Sequence, residues 1–269
     1  MKEGRTLLSF RKDIYMNLVF FDIDGTLAIG RNIPDSAKKA IHALRKNGDL
    51  VWICTGRALR YAKSNFHMYA NGYIVSNGRE AYTCCAKIFE KPLAMEQIRE
   101  IQKRLDAVHA GYVFFESQNG HCFGPEEAYR TIAEEWDPGF ILPGGDLIGK
   151  KIYNFDVWFK DAEQYHAIEE QLNGIGVLNP HGNHPTADVT VSGWDKGDAL
   201  LAVAEYMNVP LDHTYAFGDG MNDICMIRKA GHGIAMGNGQ DALKKEAEYV
   251  TSGILEDGVW NGLKHFHLI

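Results

Sequence analysis

The sequence predicts an α/β protein with a doubly wound parallel-sheet core and an inserted α+β module. Short apolar runs alternate with amphipathic helical patterns from residue 17 to residue 81, which favours right-handed crossovers between parallel strands. The alternation breaks in the middle of the chain and returns near residue 193. A chain of 269 residues is also long enough for two domains.

The first third reads as three strands separated by two helices. The run Asn17 to Ile23 is continuously apolar up to its carboxylate, as expected of a strand that is buried on both faces. Asp35 is predicted to cap the first helix, and Gly48 is predicted to end it. The following elements are a strand, a helix and a strand at residues 50–54, 58–69 and 73–75.

The middle third reads as a separate α+β module. Asn119-Gly120 lies between two strand-like runs, residues 112–116 and 121–123, and this dipeptide is typical of a hairpin turn. Residues 151–160 alternate like a half-buried strand, and residues 174–191 suggest two more strands. Helices are predicted at residues 95–108 and at residues 162–172, the second capped by Asp161.

The last third returns to the parallel pattern. A helix is predicted at residues 196–207, followed by short strands at 214–217, 233–236 and 248–250. We therefore predict a core made of residues 16–81 and 193–269, with an inserted cap at residues 82–192. Residues 1–15 are too polar and interrupted for a signal peptide. They are interpreted as an N-terminal extension without an assigned function.

Composition excludes several classes of protein. The formal net charge of −7 argues against a nucleic-acid partner, which requires a basic surface. No apolar run approaches the roughly 18 residues of a membrane span, so no membrane partner is expected. The five cysteines form no C-x-x-C pair, and Cys54 lies in an apolar run. This cysteine usage predicts a cytoplasmic protein.

Polar, glycine-containing clusters follow four of the predicted strands. In an open parallel sheet, the carboxyl ends of the strands meet at one edge, where ligands bind. Each cluster alone is most simply a loop or a turn. Their occurrence in order, each after an apolar run, instead predicts a shared site. The four clusters are Asp22 to Thr26, Thr55 to Arg57, Ser76 to Gly78 and Gly218 to Asp223.

The residue types in these clusters indicate phosphoryl chemistry with a hard cation. Asp22 and Asp24 can serve one site if the chain turns at Gly25, one as nucleophile and the other as acid. Because crowded carboxylates repel one another, a bound cation is expected among them, and oxygen ligands favour Mg2+. The remaining carboxylates are Asp219 and Asp223. The expected phosphate-binding groups are Thr26, Thr55, Asn222 and Lys196, which opens a helix.

At these residues the chain resembles the haloacid dehalogenase superfamily, specifically its Cof-type phosphatases. The resemblance extends from Asn17 to about Leu263 and is specific in the core segments, whereas the middle third matches in placement and size only. The matching segments are FFDIDGTL (20–27), ICTGR (53–57), VSNG (75–78), DKGDAL (195–200), FGDGMND (217–223) and GIAMGNG (233–239).

The resemblance implies a Rossmann-like core, a closing α/β cap and specific residue roles. Asp22 would attack phosphorus and form an aspartyl phosphate. Asp24 would protonate the leaving oxygen and then activate water, while its backbone carbonyl binds the metal. Asp22 and Asp219 would be the remaining direct ligands of the metal, and Asp223 would hold the metal shell. The transferring phosphoryl group would be held by Thr55, Gly56, Lys196 and Asn222.

A carboxylic acid two residues after the nucleophile, here Asp24, distinguishes phosphatases from the dehalogenase branch of the superfamily. The resemblance therefore implies hydrolysis of small phosphorylated metabolites, such as sugar phosphates. Two alternatives stay open: a phosphomutase that returns the phosphoryl group to a sugar, and a non-catalytic phosphate-binding regulatory module. Water access, which separates the first from a phosphatase, depends on cap closure.

Several residues outside these motifs carry alternative interpretations. Arg79 stands where the family often has alanine, and it reads as a surface residue that could also meet an anionic substrate. His181 and His184 read as a polar loop near substrate, with a metal pair as the alternative. The aromatic residues of the cap read as its core rather than as a stacking platform for a sugar; they are Trp136, Tyr153 and Trp158.

Overall fold

The computed structural model describes residues 16–134, 136, 139–182 and 184–269, so the predicted N-terminal extension lies outside it. The described chain forms two β-sheets of eight and six strands. Both are flanked by helices, and the predicted mixed α/β class is confirmed.

The larger sheet is built from the first and last parts of the chain. Its strands are β1 (Leu18–Phe21), β2 (Leu50–Cys54), β3 (Gly72–Val75), β4 (Glu80–Thr83), β5 (Lys87–Glu90), β12 (Thr214–Gly218), β13 (His232–Ala235) and β14 (Tyr249–Val250). They are ordered β14-β13-β12-β1-β2-β3-β4-β5. Only the pairings of β4 are antiparallel; the others in this sheet are parallel. The chain thus winds outward in both directions from the β1–β12 pair.

The smaller sheet comes from the middle of the chain. Its strands are β6 (Gly111–Phe115), β7 (Gly120–Phe123), β8 (Ile141–Pro143), β9 (Asn154–Trp158), β10 (Gly176–Pro180) and β11 (Thr186–Val191). Their order is β10-β11-β9-β6-β7-β8. The predicted hairpin is formed by β6 and β7, and β9 pairs antiparallel with both β6 and β11.

The helices lie close to their predicted places, and two that the sequence did not indicate are added. The helices are α1 (Asp35–Asn47), α2 (Leu59–Phe66), α3 (Met95–Ala107), α4 (Glu126–Glu134), α5 (Ala162–Gln171), α6 (Lys196–Tyr206), α7 (Ile224–Lys229), α8 (Asp241–Lys244) and α9 (Gly258–His265). The two added helices are α4 and α9.

Two of the three predicted helix-end residues lie where the sequence places them. Asp161 accepts a hydrogen bond from the Gln164 amide at 2.8 Å, as an N-cap does. Gly48 ends α1 with a left-handed φ of 92°. Asp35 is not the cap of α1 but its first helical residue, because the preceding Pro34 already has the extended backbone of a cap.

The chain passes from the larger sheet to the smaller sheet later than the sequence suggests. Tyr82, the predicted first residue of the cap, lies within β4 of the larger sheet. The hairpin of β4 and β5 extends that sheet, so the chain leaves it only after Glu90. It returns after Val191, close to the predicted boundary at residue 193.

The faces of β1 explain how the site is positioned. Leu18 and Phe20 pack in one apolar cluster, and Val19 and Phe21 pack in another on the opposite face. A strand that is buried on both faces is fixed by packing along its whole length. The residue that follows it, Asp22, is therefore held at a defined place on the sheet edge.

Candidate active site

Two of the predicted site loops meet where the winding of the sheet reverses. Asp22 follows β1 and Asp219 follows β12, and these strands are paired neighbours. The Asp22 amide donates to the Phe217 carbonyl at 3.0 Å, which ties the two loops together. Ligands of open α/β sheets bind at such a switch point, outside the carboxyl ends of the strands.

A group of three carboxylates occupies this edge. Ligating oxygens of Asp22, Asp219 and Asp223 all lie within 4.8 Å of one another. The Lys196 ammonium group is buried beneath them and lies 2.7 Å from both Asp22 Oδ1 and Asp223 Oδ1. Lys196 reaches this place because it is the first residue of α6, which packs on β3 and on the turn Ser76–Gly78 that follows it. One ammonium group thus faces three negative charges.

Asp223 fixes the shape of its own loop. Its Oδ2 accepts hydrogen bonds from the backbone amides of Asp219 and Gly220, at 3.1 and 3.0 Å. Its other oxygen accepts from Lys196. Because both oxygens are engaged and the side chain is fully buried, Asp223 holds Asp219 in position.

Burial and crowding make Asp22 and Asp219 hard to ionise in the absence of a cation. Desolvation raises the pKa of Asp22 well above its usual range, although the nearby Lys196 charge lowers it. Desolvation and the neighbouring Asp223 raise the pKa of Asp219 to about 7. For Lys196, the two carboxylates outweigh the effect of burial, and its pKa is raised well above the usual value. A divalent cation would relieve this imbalance.

Asp24 belongs to a different part of the site. Its carboxylate Oδ2 accepts a hydrogen bond from Arg57 Nε at 3.1 Å, and its side chain is 44% exposed. Arg57 in turn lies over the rings of Tyr61, at 5.1 Å, and Trp136, at 5.6 Å. The side chain of Asp24 is thus separate from the three-carboxylate group; its predicted metal contact, through the backbone carbonyl, stays a prediction.

The turn after β1 brings Asp219 against the first loop. Gly25 has a φ of 83°, and a Cβ atom there would collide with the Asp219 carboxylate. Thr26 Oγ1 donates to Asp219 Oδ1 at 2.9 Å. Thr26 is therefore engaged with a carboxylate, whereas the sequence suggested it as a ligand of phosphate.

The predicted phosphate-binding residues converge on the same edge. Thr55 is buried directly after β2, and its Oγ1 accepts from the Arg57 amide at 3.1 Å. Asn222 Nδ2 points toward Asn77 Oδ1, at 3.3 Å, and toward Asp188 Oδ2, at 3.4 Å. A Cβ atom at Gly56 would lie 2.9 Å from Asp188 Oδ2. The smaller sheet therefore reaches the predicted phosphate-binding residues through Asp188.

A cavity of about 970 Å³ lies between the two sheets. Its floor includes Asp22 and Thr55 from the larger sheet, and its roof includes Phe115, Asp156 and Asp188 from the smaller sheet. Pockets of a few hundred to a thousand Å³ suit small molecules. The three-carboxylate group opens into this cavity.

The histidines of the predicted polar loop line the cavity. His181 Nδ1 lies 3.0 Å from Thr186 Oγ1, and His181 Nε2 lies 4.0 Å from Asp188 Oδ1. Both His181 and His184 are cavity residues. Within the described ranges, the aspartate triplet is the one cluster of three or more metal-ligating side chains, and it includes neither histidine.

The cap aromatic residues are buried, as predicted for a core. Trp136 stacks on Phe140 with ring centroids 4.4 Å apart, yet one part of it also lines the cavity. Tyr153 and Trp158 are buried away from the described cavity lining.

The interpretation of Arg79 as a surface residue is wrong. Its side chain is only 8% exposed, because the two chain segments that connect the sheets cover it. Its guanidinium donates to the carbonyl of Lys91 at 3.4 Å and to that of Val191 at 3.3 Å. Desolvation lowers the pKa of Arg79.

Sequence reasoning assigned no role to several residues that the structure places at the site. Asn77 lies within a quoted motif, and its left-handed backbone, with φ of 53°, marks a constrained position. Asp156 and Asp188 lie inside strands, where aspartate is uncommon. That unusual placement was the available signal for both.

Comparison with known proteins agrees with this geometry. Residues 19–263 match the model of the haloacid dehalogenase-like hydrolase family. The chain belongs to this family. It is 44% identical to the phosphatase YwpJ of Bacillus subtilis, over 93% of this chain and 99% of the relative. Its fold matches that of the subclass IIB sugar phosphatase BT4131 with a TM-score of 0.78, at 27% identity, covering 94% of this chain and all of the other.

A further relative carries a named substrate. The chain is 29% identical to the 5-amino-6-(5-phospho-D-ribitylamino)uracil phosphatase YcsE of Bacillus subtilis, over 96% of this chain and 98% of the relative. Family and relatives together make this protein a hydrolase, a phosphatase of the haloacid dehalogenase superfamily with a Rossmann-like core. None of the described helices has the length and apolar character needed to cross a bilayer.

Proposed function

We propose that this phosphatase is magnesium-dependent and hydrolyses small phosphate monoesters through an aspartyl phosphate on Asp22. The observation that carries the proposal is the placement of Asp22 at the switch point. There it lies 2.7 Å from the buried Lys196 ammonium group and shares a ligand group with Asp219 and Asp223.

The donor set fits Mg2+. Three carboxylates within 4.8 Å offer the oxygen ligands that this hard cation prefers. Asp22, Asp219 and Asp223 would hold the ion, with the backbone carbonyl of Asp24 as a further ligand. When bound, Mg2+ neutralises negative charge between the nucleophile and the phosphoryl oxygens.

The residues of the chain supply the remaining chemistry. A carboxylate oxygen of Asp22 attacks phosphorus while Asp24 donates a proton to the leaving oxygen, which departs as an alcohol. Asp24 then removes a proton from the attacking water, which cleaves the acyl phosphate and regenerates Asp22. The 44% exposure of Asp24 supports this role, since its side chain can turn from Arg57 toward the cavity.

The phosphoryl group would be bound on the floor of the cavity. Lys196 offers positive charge there, and Thr55, Gly56 and Asn222 offer neutral donors. Pre-positioned donors of this kind account for much of phosphoryl-transfer catalysis, because little covalent help is needed.

We propose small phosphorylated metabolites, in particular sugar phosphates, as substrates. The size of the cavity and the polar residues of its roof support this class. The sugar phosphatase among the structural matches and the ribitylaminouracil phosphatase among the relatives support it as well. A cytoplasmic location is proposed on the free state of all five cysteines.

The decisive experiment compares the wild type with Asp22→Ala and Asp22→Asn in a screen of phosphorylated metabolites with Mg2+. We expect the wild type to release inorganic phosphate and EDTA to abolish the release. Both variants should stay folded and lose at least about 10⁴-fold in turnover. Wild-type turnover by either variant would disprove covalent catalysis at Asp22. Conversion of a hexose phosphate to its isomer, without phosphate release, would instead indicate a phosphomutase.

A further inference from the structure

Three polar side chains form a row across the smaller sheet, directly above the phosphate-binding edge. Asp188 of β11 is paired in register with Asn179 of β10 on one side and with Asp156 of β9 on the other. All three line the cavity. They share one face because they occupy directly opposite positions on neighbouring strands.

The opposite face of the same strands is apolar. Phe155 and Val157 of β9, and Ala187 and Val189 of β11, are buried in the hydrophobic cluster of the cap. The alternation therefore separates an apolar side, which stabilises the cap, from a polar side that faces the larger sheet. The polar row is not needed to bury the cap core.

The two carboxylates of the row oppose each other at close range. Both side chains are buried, and like charges that lie directly opposite on antiparallel strands are destabilising. Packing and strand propensity would favour a neutral residue at either position. Two neighbouring carboxylates on a cavity wall can accept hydrogen bonds from a bound ligand.

Asp188 is held at a fixed place above the phosphate-binding residues. Asn77 Nδ2 donates to Asp188 Oδ2 at 2.5 Å, and Asn222 Nδ2 lies 3.4 Å from the same oxygen. Asn154, two residues before Asp156, also reaches the larger sheet, since its Nδ2 lies 3.4 Å from the Gly56 carbonyl. The row is thus docked against the floor, and a leaving group that extends from the phosphate must pass close to it.

The charge of the cavity is strongly negative before any substrate enters. Six carboxylates line it: Asp22, Asp24, Asp156, Asp188, Asp219 and Asp223. Arg57 is paired with Asp24, and Lys196 is paired with Asp22 and Asp223, so these cations are engaged on the floor. A bound Mg2+ would also sit on the floor. Arg57 also lies close enough to Asp156 for that carboxylate to raise the pKa of Arg57. Even so, the six carboxylates exceed the two cations and the two positive charges of one Mg2+, so the lining keeps a net negative charge toward the leaving group.

We propose that Asp156 and Asp188 select the leaving group: they accept hydrogen bonds from its hydroxyl or amino groups and repel a second anionic group. The proposal rests on the proposed function, because it assumes that the phosphate binds on the floor. Repulsion between like charges is an effective way to exclude wrong ligands. The preferred substrates are therefore monoesters whose leaving group is a neutral polyol or amine.

Matched ligand pairs test this directly. Glycerol 3-phosphate and 3-phosphoglycerate differ in a hydroxymethyl group against a carboxylate, as do sorbitol 6-phosphate and 6-phosphogluconate. Binding is measured by calorimetry with Mg2+ on the Asp22→Asn protein, so that turnover does not interfere. The measurements are made at pH 8, above the ordinary pKa of histidine. We expect the neutral member of each pair to bind about tenfold more tightly or better.

Charge removal on the roof should narrow that preference. Asp156→Asn and Asp188→Asn, each in the Asp22→Asn background, should reduce the neutral-to-anionic ratio about three- to tenfold. Asn at position 188 keeps an oxygen that can accept from Asn77. The matched control is Asp212→Asn, which removes one exposed charge next to the opposite end of β12 and should leave the ratio unchanged.

The outcomes separate the inference from the proposed function. The selection by Asp156 and Asp188 would be overturned if the neutral and the anionic ligand of each pair bound equally tightly. It would also be overturned if neither roof substitution changed the neutral-to-anionic affinity ratio. A ratio that shifts equally with Asp212→Asn would overturn it too, because net charge alone would then be responsible. Phosphate release by the wild type is measured separately. Its absence would contradict the proposed function, while the binding ratio would still decide whether the roof selects charge.

Discussion

The two sheets carry buried charge in opposite ways. On the larger sheet, Asp22, Asp219 and Asp223 lie in loops after strand ends and surround one ammonium group. On the smaller sheet, Asp156 and Asp188 lie within strands and face each other. The first arrangement is held by an internal cation and backbone amides. The second depends on the neighbouring sheet and on whatever occupies the cavity.

This difference indicates which charged residues of the site also contribute to stability. The buried partner of an ion pair is costly to remove, because the remaining charge is left uncompensated. Removal of one of two like charges costs little or relieves repulsion. We therefore expect substitution of Lys196, the shared partner of the floor carboxylates, to lower both stability and activity, and substitutions on the roof to affect mainly the choice of substrate.

The largest effect is expected from Lys196→Met. The substitution leaves Asp22 and Asp223 buried without their ammonium partner, and we expect a loss of about 3–5 kcal/mol in the free energy of unfolding of the metal-free protein. Phosphatase activity should fall by at least about 10³-fold, because the substitution removes the positive charge that would stabilise the transferring phosphoryl group. Urea unfolding with and without Mg2+ checks this; unchanged stability would mean that the carboxylates do not depend on Lys196.

A smaller effect is expected from Asp24→Asn. The amide can still contact Arg57 but cannot exchange a proton, so turnover should fall about 10²- to 10⁴-fold with little change in unfolding. Substrates with very acidic leaving groups, such as 4-nitrophenyl phosphate, should lose less, because their leaving oxygen needs no proton. An equal loss for every leaving group would argue against the acid role.

Magnesium binding should weaken as the pH falls. The pKa of Asp219 is raised to about 7 in the metal-free protein, so protons compete for this ligand below that pH. We expect the dissociation constant for Mg2+ to rise about tenfold per pH unit below about 7. The same shift predicts that the metal-free protein loses stability as the pH rises from 3.8 to about 7, since the folded state binds more protons than the unfolded state there. Calorimetry measures the affinity for Mg2+, and unfolding at several pH values measures the stability of the metal-free protein. An affinity for Mg2+ that does not depend on pH would contradict the raised pKa of Asp219.

The smallest effect concerns the roof. Asp156→Asn removes a charge that Asp188 repels and Arg57 attracts, so the two effects oppose each other and we expect the free energy of unfolding to change by less than about 1 kcal/mol. Thermal unfolding against the Asp212→Asn control gives the measurement. A marked loss of stability would show that Asp156 is a structural residue, and the contrast between the two sheets would fail.

The floor of the site was predictable because its residues follow buried strands. An apolar run that ends in Asp22, and another that ends before Asp219, identify strand ends without knowledge of their partners. The winding of the sheet then brings them together, and the structure does so. The side-chain contacts of Asp24 and Thr26 were harder to predict, because the direction of a loop side chain depends on neighbours such as Arg57 and Asp219.

The roof was not predictable from one sequence. Strand register decides that Asp156 lies opposite Asp188, and register across the cap depends on segments far apart in the chain. Arg79 was misjudged for a related reason. Its burial comes from chain segments near Lys91 and Val191, which approach it only in the folded protein.

The central claim is that Asp22 becomes covalently phosphorylated, and a beryllofluoride complex tests it most directly. A crystal of the wild-type protein with Mg2+ and beryllofluoride should show the beryllium atom bonded to a carboxylate oxygen of Asp22, near Lys196 and Thr55. A filled metal site with a bare Asp22 carboxylate, or an adduct on any other residue, would contradict the account.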